Sequence, residues 1–166
     1  SARATHGVPS SYAGQPTTRT ETHRPMAKTA FVFPGQGSQY VGMAKDLFQN
    51  DPRGRALMEE ADRILGTSLS RICFEGPEEL LRQTSNTQPA IFLHSLVVAQ
   101  AITDIQPAMV AGHSLGEYSA LVAAGALRFE DGLRLVRLRG ELMQQAGEIR
   151  KGTMAAVVGL SPEITE

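Results

Sequence analysis

The sequence predicts an α/β fold built on a parallel sheet, and three observations carry that prediction. Short apolar, β-prone runs fall at 29–33 (TAFVF), 107–112 (PAMVAG) and 154–160 (MAAVVGL). Stretches with apolar residues at helical spacing lie between them. Glycine-rich turns follow the first two runs. Strands that alternate with helices favour parallel pairing, because a crossover helix returns the chain to the starting end of the sheet. The chain shows no internal repeat.

Residues 1–25 stand apart from the rest. They are rich in Ser, Thr, Arg, Gly and Pro, with Val8 and Tyr12 the only sizeable apolar side chains. Such a stretch buries too little surface to offset its ordering entropy. It lacks the apolar core of a secretory signal. It reads as a disordered leader or tag ahead of Met26. TAFVF then reads as a buried strand ended by Pro34-Gly35. Asp51-Pro52 supplies an N-cap and a proline at the first helical position. Leu57, Ala61, Ile64 and Leu65 follow at helical spacing, and Gly66 closes that helix. A shorter helix is expected from near Pro77. Asn86-Thr87-Gln88-Pro89 is expected to open another, with Ile91, Phe92, Ser95, Val98 and Ile102 on one face. After the strand at 107–112, one helix is expected from Ser114 to about Leu127 and another from 130 to 146. The last strand is MAAVVGL.

Composition narrows the functional classes. The 166 residues carry 16 basic and 17 acidic side chains, a formal charge of −1. No global positive field exists to hold nucleic acid or an anionic membrane surface. A hydrophobic fraction of 42% and a charged fraction of 20% exclude disorder of the whole chain. Cys73 is the one cysteine, so neither an internal disulfide nor a cysteine-rich zinc site can form. That fits a cytoplasmic protein. The longest apolar stretches are broken by His94, Ser95 and Gln100, or by His113, Ser114, Glu117 and Tyr118, which excludes a membrane-spanning helix.

The segment Gly112-His113-Ser114-Leu115-Gly116 is a G-x-S-x-G pattern between a predicted strand and a predicted helix. In a nucleophile elbow the serine sits on a sharp turn, and the flanking glycines remove Cβ atoms that would collide there. The following helix presents free N–H groups and a positive dipole end to an oxyanion. The Leu115 N–H is then one candidate donor. A second reading stays open: Ser114-Leu115-Gly116-Glu117 also matches a capping box, in which Ser114 only caps the helix. His113, adjacent to the serine, points elsewhere on such a turn, and His94 lies mid-helix and reads as structural.

Arg139 is the second unusual residue. On a helical wheel of 130–146, Leu133, Leu135, Val136, Leu138, Leu142, Met143 and Ala146 share one arc. Arg134, Arg137, Glu141 and Gln144 lie opposite, yet Arg139 falls within the apolar arc. A guanidinium among apolar side chains needs an anionic partner. Two partners remain open: a protein carboxylate such as Glu117 or Asp131, or a substrate carboxylate held by the planar fork. The loop Phe33-Pro34-Gly35-Gln36-Gly37-Ser38-Gln39 is not a dinucleotide fingerprint. Its third glycine position is Tyr40, and Gly42 comes two residues late. It instead brings backbone and Gln36 toward the serine, at the strand end where α/β sheets bind ligands.

Taken together, FVFPGQGSQYVGM (31–43), NTQPAIF (86–92), AGHSLGEYSALVAAGAL (111–127), RLVRLRGELMQ (134–144) and GTMAAVVGL (152–160) resemble, in order, the malonyl-CoA:acyl-carrier-protein transacylases. The acyltransferase domains of polyketide synthases share most of these blocks. The resemblance covers 28 to about 162. It implies that Ser114 accepts malonyl from malonyl-CoA and passes it to the phosphopantetheine thiol of acyl carrier protein, in fatty acid biosynthesis. It implies an oxyanion hole from the backbone N–H groups of Gln36 and Leu115. Arg139 matches the arginine that holds the malonyl carboxylate, Gln88 a pocket glutamine, and a leucine at 115 is typical of malonyl-selective members. No cofactor or metal is implied beyond these substrates, and no nucleic acid or membrane partner. The full-length family member is expected to be a monomer.

The resemblance also implies an α/β-hydrolase-like large subdomain with an inserted ferredoxin-like small subdomain. Residues 26–150 then form the N-terminal part of the large subdomain, its parallel sheet incomplete. Residues 151–166 start the small one. The short 102–107 connection departs from the family pattern. So does the catalytic histidine, which in the family follows the small subdomain; none of His6, His23, His94 and His113 occupies its place. The chain is therefore expected to be a fragment of weak or no activity. The alternatives are a serine esterase using the same elbow, or a non-catalytic fragment that binds acyl carrier protein. Arg128, Arg134, Arg137 and Lys151 are candidates for docking that acidic partner, or simply a solvated helix face.

Overall fold

The computed structural model describes residues 28–149 together with Gly159 and Ser161. The expected leader at 1–25, Lys151 and nearly all of the strand expected at 154–160 lie outside the described residues. The described elements are β1 (Ala30–Phe33), α1 (Lys45–Asn50), α2 (Pro52–Leu65), α3 (Leu69–Glu75), α4 (Glu78–Arg82), α5 (Thr84–Ala101), β2 (Met109–Gly112), α6 (Gly116–Ala123) and α7 (Phe129–Ile149). β1 and β2 pair in parallel, with Ala30 opposite Met109 and Phe33 opposite Gly112. The helices α1 to α5 form the crossover between them. The ladder runs one residue past β2, where His113 N–H donates to the Phe33 carbonyl at 3.0 Å. The α/β class with a short parallel sheet is thus as expected.

Local rules set several boundaries. The Asp51 side chain accepts from Arg53 N–H at 2.9 Å and Pro52 fills the first helical position, so α2 starts where the sequence placed it. Gly66 ends it with φ +64°. α6 is shorter than expected, because Gly125 (φ +72°) turns the chain and Ala126 and Leu127 both donate to the Leu121 carbonyl. α1 and α3 were not anticipated. They are 6 and 7 residues long, too short to show a helical period.

α5 corrects one expectation. It begins at Thr84, so Pro89 lies inside the helix rather than at its opening. A proline there has no N–H for the carbonyl four residues back, which is Ser85. Arg137 of α7 takes over: its Nη1 donates to the Ser85 carbonyl at 3.1 Å. Tertiary contact thus satisfies what local propensity forbids. α5 is buried on nearly every side, with Pro89 to Leu93, Leu96 and Val97 all in the core. Met58, Leu69, Cys73, Leu81, Leu115, Leu133 and Val136 pack around it. Burial of each such aliphatic side chain stabilises by about 1.5–3 kcal/mol.

α7 splits the apolar arc that its sequence suggested. Leu133, Val136 and Gly140 are buried, whereas Leu135, Leu138 and Leu142 are 45%, 51% and 55% exposed. The cause is Gly140. A Cβ there would lie 2.7 Å from the Thr84 carbonyl oxygen, so α7 meets α5 backbone to backbone along one edge of the arc. The other edge is left facing outward. Among the described residues no helix is long and apolar enough to cross a membrane.

Phe92 is fully buried and stacks on Phe129 with centroids 5.9 Å apart. Phe92→Ala is expected to cost about 3–5 kcal/mol in urea denaturation. Cys73 reports the same event independently. Burial pushes its thiol up to about 12. Alkylation by iodoacetamide at pH 8 should therefore occur only through unfolding, and Phe92→Ala should accelerate it. Rapid alkylation of the native wild type would contradict this packing.

Candidate active site

The turn after β2 brings three backbone segments to within touching distance. A Cβ on Gly112 would sit 1.9 Å from the Gly116 carbonyl carbon. A Cβ on Gly116 would sit 2.2 Å from the Phe33 carbonyl oxygen. Gly35 is equally constrained, since its Cβ would lie 2.8 Å from both His113 Nδ1 and the His113 carbonyl oxygen. No side chain fits at these positions. Ser114, at the apex, has φ +51°, a left-handed conformation that an L-residue adopts at a cost of about 1–2 kcal/mol. The strain is held in place by the strand on one side and α6 on the other.

The capping reading of Ser114 does not hold. Leu115 occupies the N-cap position of α6 and no side chain caps the helix. The Ser114 hydroxyl instead accepts a hydrogen bond from Arg139 Nη2 at 3.0 Å. Arg139 also donates through Nη1 to Gln88 Oε1 at 2.7 Å. The amide of Gln88 is completed by Met143, whose sulfur accepts from Nε2 at 3.1 Å. Three of the residues singled out in the sequence, on α5, α7 and the elbow, therefore form one continuous chain of contacts. It runs from fully buried Gln88, through half-buried Arg139, to exposed Ser114. Met143 was missed as part of this chain. Its position four residues after Arg139 puts it on the same face of α7, which is the signal that could have found it.

The ion-pair reading of Arg139 also fails. Among the described residues, Glu117 and Asp131 do not bridge to it, and Asp131 faces Arg128 instead. The glycine loop lies where expected. The Gln36 side chain reaches Thr84 Oγ1 at 3.5 Å, so the loop touches the first turn of α5. Among the described residues, neither the Gln36 nor the Leu115 N–H donates to a backbone carbonyl.

Neither described histidine bonds to Ser114. His113 follows the strand, and His94 packs edge-on to Tyr40 with centroids 6.2 Å apart. Burial lowers the His94 pKa, opposed by the nearby Asp46 carboxylate. Of the basic residues, Arg128 and Arg134 are exposed and paired with Glu130. Arg137 is a correction. Its side chain is only 27% exposed and spends its donors on Glu141, Asn86 and Ser85. It is a strut between helices, not open basic surface.

Residues 30–165 match the acyl transferase domain family. The chain belongs to that family. A malonyl CoA-acyl carrier protein transacylase of Bacillus subtilis (strain 168) is 50% identical over 140 residues, which cover 83% of this chain and 44% of that protein. One from Staphylococcus aureus (strain MSSA476) is 47% identical over 135 residues, again 44% of its length. The chain thus spans less than half of each of these relatives. The solved transacylase of Clostridium perfringens superposes with a TM-score of 0.72 at 37% identity, covering 84% of this chain and 45% of that one. A solved type II PKS acyl-carrier protein complex with its malonyl-transacylase is similar at 46% identity and a TM-score of 0.67, over 72% of this chain and 40% of that one.

Two predictions come from the site residues. Ser114→Gly relieves the positive φ, whereas Ser114→Ala keeps it. The glycine variant should therefore be the more stable of the two by about 1 kcal/mol in chemical denaturation. Equal stability would show that the elbow is unstrained. For His94 the sign is fixed by its lowered pKa. The unfolded chain binds a proton that the folded chain refuses, so stability is lost as pH falls below about 6.5. His94→Gln should flatten that part of the stability-versus-pH curve.

Proposed function

We propose that Ser114 carries a malonyl group between malonyl-CoA and the phosphopantetheine thiol of acyl carrier protein. The observation that supports this best is the joint contact of Arg139 with Ser114 and Gln88. It sets a guanidinium in hydrogen-bond contact with a strained serine, so that an anion taken up by Arg139 would be held beside the nucleophile. In this reading the malonyl carboxylate takes the Arg139 fork, which leaves the thioester carbonyl over Ser114 Oγ. Oγ then attacks the carbonyl carbon. The Oγ–C bond forms, the C–S bond breaks, and coenzyme A leaves as the thiol with the serine proton. In the second half the carrier thiol attacks the same carbon: the S–C bond forms, the Oγ–C bond breaks, and the thiol proton passes to Ser114 Oγ. The free N–H groups of Gln36 and Leu115 are the donors for the oxyanion.

Neither described histidine bonds to Ser114, and we assign the proton acceptor to a histidine outside the described residues. We infer the finer architecture on the same basis. Residues 26–150 belong to an α/β-hydrolase-like large subdomain, and 151–166 begin a ferredoxin-like insert. The carrier-protein partner rests on the solved complex of a similar transacylase. An esterase reading is disfavoured, because a pocket for neutral acyl groups has no use for a guanidinium on its nucleophile.

The test uses the native gene product that carries this sequence. Incubation with radiolabelled malonyl-CoA should leave one acid-stable label per active chain, absent from Ser114→Ala. Equal label in both would exclude the malonyl-serine step. Arg139→Ala should lower kcat/KM for malonyl-CoA by about a hundredfold or more and raise the relative use of acetyl-CoA. An equal loss on both substrates would remove Arg139 from carboxylate recognition.

A further inference from the structure

α7 presents two neighbouring rows of side chains to the start of α5. One row, Arg139 and Met143, holds the Gln88 amide at both ends. The other row, Arg137, Gly140 and Gln144, holds the α5 backbone itself. Gln144 Oε1 accepts from Ser85 N–H at 3.2 Å. Gly140 admits Thr84 and Ser85 at contact distance. Arg137 Nη1 donates to the Ser85 carbonyl at 3.1 Å and to Asn86 Oδ1 at 3.0 Å, while its Nε is braced by Glu141 at 2.6 Å. Asn86 in turn donates to the Leu80 carbonyl at 3.0 Å.

The Ser85 carbonyl is the one that Pro89 leaves without an in-helix donor. Pro89 immediately follows Gln88. The same proline that sits beside the pocket amide therefore opens a bonding position four residues back, and α7 fills it. The register of α7 on α5 is set at the position where the register of Arg139 on Gln88 matters.

We propose that Arg137 is a positioning residue for the Ser114 site. By replacing the donor that Pro89 withholds, it locks α7 to the first turn of α5 and so holds Arg139 between Gln88 and Ser114. It touches neither the serine nor Gln88 and acts only through the two helices. This rests on the malonyl-transfer reading for its effect on catalysis, but not for its effect on the geometry of Arg139.

The experiment uses the native gene product and the variants Arg137→Met, Arg137→Lys, Pro89→Ala and Pro89→Ala/Arg137→Met. The first readout needs no activity. It is the slowly exchanging guanidinium signal of Arg139 in proton–nitrogen spectra, assigned by its loss in Arg139→Lys. Arg137→Met should abolish that signal, and Pro89→Ala/Arg137→Met should leave it abolished, because an N–H at position 89 satisfies the Ser85 carbonyl without tying α7 to α5. The second readout is substrate choice. Arg137→Met should lower kcat/KM for malonyl-CoA about tenfold while acetyl-CoA changes by less than about twofold, and the double variant should keep the loss. Arg137→Lys, which keeps one donor, should fall between, and it carries the test if Arg137→Met does not fold. An unchanged Arg139 signal in both Arg137 variants, an equal loss on the two substrates, or rescue by Pro89→Ala would each overturn the proposal. If the unmodified protein transfers no malonyl, the transfer reading falls, and the Arg139 signal alone still decides the positioning role.

Discussion

Backbone-on-backbone contact at the β2–α6 turn is the constraint on which the site depends. The chain must leave a strand, reverse and enter a helix within four residues, with β1 pressed against the same turn. Gly112, Gly116 and Gly35 make that possible because each stands where a methyl group would overlap main-chain atoms. The His113–Phe33 hydrogen bond then clamps the turn to the sheet. Ser114 is left with φ +51° as the geometric remainder of these contacts. Its exposure and its strain have one cause. A side chain at any of the three glycines would force the turn open and carry the hydroxyl away from Arg139.

A second close approach supplies the rest of the site. At Gly140, α7 meets the first turn of α5 without intervening side chains. Helices that close transmit small shifts almost rigidly, since packed interiors have little room to yield. The contact places Arg139, Gln88 and Ser114 from three elements in one line. The glycine loop joins the same hub through Gln36 and Thr84. The first turn of α5 is thus touched from both sides, by the loop after β1 and by α7. Its buried polar side chains Asn86 and Thr87 are each satisfied by carbonyls at the end of α4, Leu80 and Leu81.

Much of this was legible in the sequence, because the telling residues break a local rule. Glycines on both sides of a serine exceed what a helix cap needs, and an arginine in an apolar arc defies helical patterning. The α2 boundaries followed from cap chemistry alone. What was not legible depends on tertiary partners. Pro89 reads as a helix start unless Arg137 is known to take the orphaned Ser85 carbonyl. The apolar arc of α7 looks uniform until Gly140 fixes which edge is buried. Arg137 looks like solvated surface until the start of α5 arrives beside it. Each of these errors arises where a residue far along the chain satisfies a group that local reasoning counts as unsatisfied.

α7 contains its own comparison for the meaning of Arg139. Arg134 and Arg137 each have a glutamate four residues away, Glu130 and Glu141, and each is paired with it. Those are the arrangements by which a helix stabilises its own arginines. Arg139 has Leu135, Val136, Leu142 and Met143 at the corresponding positions, so the helix offers it no anion. Its partners are instead a neutral amide and a neutral hydroxyl. Two hydrogen bonds orient the guanidinium, and among the described residues no carboxylate neutralises its charge, in a half-buried setting where a nearby charge is felt more strongly than in water. An arginine placed for stability alone would gain more from a carboxylate on α7 or α6. An arginine that is oriented but not neutralised keeps its strongest interaction for an incoming anion, and such an anion would be held beside the serine that the guanidinium already touches.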